Sequence, residues 1–270
     1  MAAVGKASGR YHKQDAERHS CRAETVEQAE YERMHAVEDR MWWYRGLRAL
    51  VADLLARSLK EAPAGPVLDA GCGTGGMLFK LGAEIAGHPT CGLDYDGRAA
   101  AFAKAKAGRP VASGSVNEMP FVDGALAGYV SLDVLCHGGV EPARALQEAH
   151  RCLRPGAIAI FNLPAYEWLL SAHDRRVHNA RRFTAGQARR LLSRHGFRIL
   201  RCSYWNTLLF PLMLIHRLLE REDAESDVRD YPAWLDRFFS GVLALERRMI
   251  AAGMNLPFGG SIVIVARRDG

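Results

Sequence analysis

No two cysteines in this sequence are spaced C-x-x-C, and no Cys/His spacing matches a zinc site. The six that exist (Cys21, Cys72, Cys91, Cys136, Cys152 and Cys202) are scattered, so they read as reduced thiols rather than a disulfide framework or a metal centre, and point to the cytoplasm. The N-terminal stretch MAAVGKASGRYHKQD lacks the apolar core of a secretion signal. No apolar run is long enough to cross a bilayer; TLLFPLMLI at 207–215 is the longest, and it holds Pro211. A soluble protein is expected. Long Lys/Arg blocks are missing too. A net charge of +6 suits an anionic substrate or a membrane surface, but nucleic acid is not an expected partner. Internal repeats and low-complexity segments are absent.

What is present fits one large domain with an insertion. The chain has 270 residues, 49% of them hydrophobic, enough for a sizeable core. Residues 1–22 are polar and without periodicity, and are expected to be a flexible tail. From Glu24 to Lys60 the pattern is helical: Tyr31, Met34, Val37 and Met41 share one stripe, followed by Leu47, Leu50, Val51, Leu54 and Leu55. The APAGP stretch at 62–66 ends this N-terminal segment (23–62).

Strands then alternate with helices. Strands are predicted near 66–70, 90–94, 110–113, 127–132, 157–162 and 197–203, and helices near 74–86, 97–107, 141–153 and 184–195. This alternation predicts an α/β fold, a mostly parallel, doubly wound sheet covered on both faces, over 63–204. Residues 205–256 break the rhythm with an apolar run, an acidic loop and an amphipathic helix around 232–251. They read as a helical cap inserted before a last core strand, SIVIVARR, within 257–270.

The stretch VLDAGCGTGG (67–76) concentrates four glycines directly after a strand. Gly71, Gly73 and Gly75 permit a tight turn and let a ligand lie against bare backbone, and the N-terminus of the following helix favours acceptor groups. A dinucleotide loop is the first rival. Asp69, two residues before the first glycine, argues instead for an amino-acid moiety, because a carboxylate there can accept from an ammonium group. Asp94, closing the second strand in CGLDYD, is placed to accept two ribose hydroxyls, with Tyr95 beside it to pack on an adenine ring.

VLDAGCGTG, GLDYD, GSVNEMPF and YVSLDVLCH together resemble the successive motifs of class I S-adenosylmethionine-dependent methyltransferases, closest to the ubiquinone-biosynthesis-like (methyltransferase type 11) group. The resemblance spans about 66–163, and LPFGGSIVIVARR is similar to that family's last hairpin strand, which implies an antiparallel final strand. It implies a Rossmann-like fold and S-adenosylmethionine as cofactor. Asp69, Gly71, Cys72, Gly73 and Gly75 would surround the methionine part, Asp94 the ribose, and Val116 and Asn117 the adenine, with Leu132 at the end of the fourth strand. Arg45 would meet the cofactor carboxylate by analogy with similar N-terminal helices. Two positions depart from the pattern: Ser115 stands where Asp is common, and Leu126-Ala127 where Phe-Asp is common.

The implied activity is methyl transfer to a small molecule, with oxygen as the leading acceptor atom. Base candidates lie beyond the fourth and fifth strands: His137, and His173, Asp174 and His178 in the segment 162–184. Tyr44, Tyr166, Trp168 and Arg182 are substrate-contact candidates, and Trp42, Trp43 and Trp205 further wall candidates. No metal is expected. The apolar stretch at 205–215 leaves two rivals open: peripheral contact with a membrane, where the acceptor would be a lipid or lipid-linked sugar, and a non-catalytic cofactor-binding protein. Residues 24–48 and 205–256 are both expected to cover the pocket.

Overall fold

The computed structural model describes residues 35–171, 174, 178–219 and 231–270. The expected tail at 1–22, the stripe residues Tyr31 and Met34, and the acidic loop of the insertion lie outside the described residues. Seven strands form one sheet: β1 (Val67–Ala70), β2 (Thr90–Asp94), β3 (Val111–Ser113), β4 (Leu126–Leu132), β5 (Leu153–Pro164), β6 (Phe197–Trp205) and β7 (Ser261–Arg268). Their order is β3-β2-β1-β4-β5-β7-β6. The first five strands pair in parallel, and β7 enters antiparallel to both β5 and β6. The order reverses between β1 and β4, which opens a crevice at the carboxyl ends of those two strands.

The central strands are apolar on both faces, and the period-2 alternation sorts them into two cores. Ala157, Ala159, Phe161 and Leu163 of β5 and Ile262 and Ile264 of β7 join one core. Two helices pack on it, α4 (Pro142–Cys152) and α5 (Ala185–Arg194). Ile158, Ile160, Val263 and Val265 face the opposite core, which α1 (Trp42–Ser58) and α7 (Ala233–Ala251) cover. On the β1–β3 side lie α2 (Gly76–Glu84) and α3 (Gly97–Ala107). The expected start of α2 at Thr74 moves to Gly76, because residues up to Gly75 form the ligand-facing turn.

Between β6 and β7 the chain inserts α6 (Phe210–Leu219) and α7. Pro211 is tolerated at the start of α6, where no intrahelical donor is needed. Glu246 of α7 is buried and accepts from the backbone N–H of Thr207 (3.1 and 3.0 Å) and Leu208 (3.3 Å), tying the helix to the entry of α6. Asp236 of α7 accepts from the backbone N–H of Trp42 at 2.8 Å and so caps α1. Gly46 allows α1 and α7 to meet closely, since a Cβ there would lie 2.4 Å from Leu243 Cδ1. The segment preceding α1 is not one continuous helix with it: the chain turns at 38–41, and Met41 is extended.

Candidate active site

The crevice at the sheet's reversal point widens into a cavity of about 1810 Å³. Gly71 and Gly73 adopt φ of +75° and +52°. At Gly71 a side chain is impossible for a second reason, because its Cβ would lie 2.3 Å from Val134 Cγ2. The turn is fixed by Asp94, whose Oδ2 accepts from the Gly73 N–H (2.8 Å) and whose Oδ1 accepts from the Asp96 N–H (3.0 Å). Burial raises the Asp94 carboxyl and these backbone donors oppose the shift. Asp69 is buried, and its Oδ2 has no hydrogen-bond partner among the described residues. Burial pushes its pKa up to about 7, and the charges of Asp94 and Glu38 add to the effect. Cys72 lies among these acids, and burial keeps its thiol protonated.

Asp69, Gly71, Cys72, Gly73, Asp94, Tyr95, Val116, Asn117 and Leu132 all line the cavity, as do Tyr44, His137, Asp174, His178 and Arg182. Tyr95 is 83% exposed and free to cover a flat ring. His137 and His178 come from different loops, brought together by a backbone bridge between His137 and Asn179. His173 lies outside the described residues. Trp42 and Trp43 form part of the wall, and Trp205 stands behind Trp43 at 5.8 Å. The described parts of the N-terminal segment and of the insertion meet over this cavity: Met41, Leu47, Leu209, Met213, Leu235 and Phe239 line it from α1, α6, α7 and their approaches.

Several assignments are corrected by the geometry. Arg45 does not reach the cavity; its guanidinium is bound to Asp236 and to Ser240 Oγ (2.7 Å) on α7. Gly75 is the N-cap of α2, and a Cβ there would meet Ala103 at 2.6 Å, so it serves helix packing. Tyr166 and Trp168 are not among the residues that line the cavity. Tyr166 stacks on Tyr204 at 5.3 Å and on Trp168 at 5.6 Å. Asp174 is bound by Arg182: burial raises its carboxyl, but Arg182 outweighs that and holds it below the ordinary range. Arg182 in turn gives Nε and Nη2 to Asp174 (2.8–3.2 Å) and Nη1 to Ala165 O, so it braces the loop. The side-chain amide of Asn117 is engaged with Gly139 O and the Glu141 N–H, both at 3.0 Å, which leaves Val116 and neighbouring backbone for a base edge.

Sequence reasoning missed two groups. Glu38 and Arg48 lie behind the glycine loop, buried. Glu38 accepts from Thr74 Oγ1 (2.6 Å), from Lys106 and from Arg48. They also explain Gly76, where a Cβ would sit 2.0 Å from Arg48 Nη1 and 2.3 Å from Glu38 Oε2. The second is Asp133, at the carboxyl end of β4 with φ of +55°.

Residues 68–161 match the methyltransferase domain family. Among curated proteins, 24-methylenesterol C-methyltransferase 3 of Arabidopsis thaliana is 29% identical over 118 residues, 41% of this chain and 31% of that enzyme. The match thus spans about a third of the plant protein. A solved structure from Thermotoga maritima, titled a SAM-dependent methyltransferase and possible histamine N-methyltransferase, is 19% identical with a TM-score of 0.53, covering 89% of this chain and 96% of that one. Geranyl diphosphate C-methyltransferase from Streptomyces coelicolor is 16% identical with a TM-score of 0.54, covering 82% and 77%. Over residues 68–161 the chain thus matches a methyltransferase domain, and S-adenosylmethionine is the cofactor that this match supports.

The residues present fit this cofactor. The unpartnered Asp69 oxygen is a buried acceptor for an ammonium group, and Gly71 and Gly73 line the same cavity. A pH dependence follows. A carboxyl whose folded pKa lies above its unfolded value holds its proton more tightly when folded. Asp69 therefore withdraws stability as pH rises from about 4 towards about 7. A cation against it favours ionisation. Affinity for S-adenosylhomocysteine, with its cationic amino group, is expected to rise up to about tenfold between about pH 6 and about pH 8. Asp69→Asn should flatten that slope in calorimetry; an unchanged slope would detach Asp69 from the amino group.

Proposed function

We infer that this protein transfers the methyl group of S-adenosylmethionine to a small-molecule acceptor, with oxygen as the acceptor atom. One observation carries the reading: an unpartnered buried carboxyl (Asp69), a second carboxyl locked to the glycine turn (Asp94), and a cavity of about 1810 Å³ above both. Pockets for one drug-sized ligand hold roughly 300–1,000 Å³, so this one has space for a cofactor and an acceptor together.

When bound, the cofactor supplies an electrophilic methyl group on a sulfonium. The chain's part is to bind, align and exclude water. Asp69 would hold the amino group, Asp94 the ribose hydroxyls through its remaining lone pairs, and Tyr95 and Val116 the adenine. Trp42, Trp43, Leu209 and Phe239 supply a dry wall, which suits a transfer that disperses charge. His137 and His178 also line the cavity and are the base candidates. In this reading 63–204 and 257–270 form the cofactor-binding core, 23–62 and 205–256 cover it, 1–22 is a tail, and the protein works in the cytoplasm.

A specific observation favours a second reading, an acceptor drawn from a lipid surface. Leu208, Leu212, Ile215, Trp234 and Phe238 are exposed, each by 45–70%, on α6, α7 and the approach to α6, and Leu212 also lines the cavity. No helix among the described residues is long and apolar enough to cross a membrane, so such contact would be peripheral. Two experiments discriminate. Incubation with S-adenosylmethionine and fractionated cell extract should yield S-adenosylhomocysteine and a product heavier by one methylene. Cofactor binding without turnover on any fraction would favour a non-catalytic protein. Co-sedimentation with liposomes would favour the lipid reading.

A further inference from the structure

Asp133 is an acid in the cavity that cofactor binding does not use. It closes β4 in the left-handed region, a conformation that Asp tolerates better than most residues. Its backbone N–H donates to Asn162 O at 3.0 Å, and both its carboxyl oxygens accept from Asn162 Nδ2 at 2.9 Å. The orientation of Asn162 is fixed in turn. The indole N–H of Trp205 can only donate, and it meets Asn162 Oδ1 at 2.7 Å, so the amide nitrogen must face Asp133. A carboxylate has about four acceptor positions, and a single amide nitrogen meets this one.

Among the described residues no cation is bonded to it. Arg182 and Asp174, from the segment after β5, are paired with each other; Cys136 donates to the Asp133 backbone oxygen; His137 lies further along the same loop. Burial raises the Asp133 carboxyl to about 7, with Asn162 and Arg182 opposing the shift. The same cavity is lined by Trp42, Trp43, Leu209, Met213, Leu235 and Phe239. An oriented acceptor therefore shares a cavity with an apolar wall.

We propose that Asp133 is the catalytic residue that receives the acceptor, and that the acceptor is a hydroxyl-bearing amphiphile whose apolar body lies between α1, α6 and α7. This rests on the methyl-transfer reading above. Asp133 accepts a hydrogen bond from the hydroxyl and so aims a lone pair of its oxygen at the methyl group. As the oxygen–carbon bond forms, the carbon–sulfur bond breaks with its electron pair left on sulfur. The hydroxyl's O–H bond gives its pair to oxygen and its proton to the Asp133 carboxylate. The acid then returns the proton to solvent when the ether leaves.

The test uses the full chain saturated with S-adenosylhomocysteine and two probes of similar length, 1-octanol and 1-methoxyheptane, the second lacking the O–H. Calorimetry should show the alcohol binding about tenfold or more tightly than the ether, as for a hydrogen bond to a charged group. That preference should grow as pH rises through about 7, because only the ionised carboxyl accepts at full strength. In Asp133→Asn the amide oxygen must turn to Asn162, which can only donate, leaving an NH₂ group facing the cavity. The alcohol preference and its pH dependence should both disappear, while S-adenosylhomocysteine affinity stays within about twofold. Equal binding of the two probes, binding of neither, or a preference that survives in the variant overturns the proposal. If S-adenosylhomocysteine itself fails to bind, the underlying reading falls as well, and this separates the two failures.

Discussion

Glu38→Ala is expected to lower the melting temperature by on the order of 10 °C. Glu38 and its two cationic partners are nearly buried, with side-chain exposures of 7%, 10% (Arg48) and 14% (Lys106). Among the described residues, removing the shared anion leaves both cations with Asp39 as their one charged partner, and it is 55% exposed. Breaking a buried pair from one side costs about 3–5 kcal/mol. For a domain of this size each kcal/mol moves the midpoint by roughly 2–4 °C. The double variant Glu38→Leu, Arg48→Met should be milder than the sum of its parts, because it removes both charges of the Glu38–Arg48 pair together. Thermal unfolding of the three proteins checks this. A loss of a degree or two in Glu38→Ala would mean that the network is solvated and does not hold the N-terminal segment to the glycine turn.

The largest effect on binding is expected from Asp94→Ala. In the free protein its carboxylate fixes the turn through the Gly73 N–H. With cofactor it would also accept from the ribose. Hydrogen bonds to a charged group are worth about 1.5–3 kcal/mol each, so affinity should fall at least about tenfold, and by two orders of magnitude or more if both ribose bonds are lost. Calorimetry with S-adenosylhomocysteine measures this, and unchanged affinity would remove Asp94 from the site. NAD should not compete. This second arm matters because Gly71, Gly73 and Gly76 fall on the G-x-G-x-x-G spacing of dinucleotide loops. Here Gly76 faces Arg48 and Glu38, so its lack of a side chain serves the protein's own packing.

The strands were legible because each central one is buried on both faces, so apolar runs such as AIAIFNL and SIVIVA mark them without ambiguity. The glycine turn and Asp94 were legible for a related reason: both lie at strand ends, and strand ends are where the ligand crevice opens. Long-range polar pairing was not legible. Nothing near Arg45 announces that Asp236, 191 residues away, will cap α1 and take the guanidinium. Glu38 and Lys106 are 68 residues apart and meet only because α3 packs beside the glycine turn. Tyr166 and Trp168 looked like pocket aromatics from composition, yet the direction of the chain after Pro164 turns them toward β6, and composition does not encode that direction. Asp133 was visible inside SLDVLCH but had no local mark; its significance comes from Asn162 and Trp205, each brought alongside by the sheet.

The central claim is that the crevice between β1 and β4 is a cofactor site closed by α1, α6 and α7. A crystal structure of the full chain grown with S-adenosylhomocysteine tests it most directly. The account predicts the amino group on the free oxygen of Asp69, both ribose hydroxyls on Asp94, and the sulfur facing the chamber walled by Trp43, Leu209 and Phe239. A molecule bound elsewhere on the sheet, or in this crevice with its ribose away from Asp94, would contradict it.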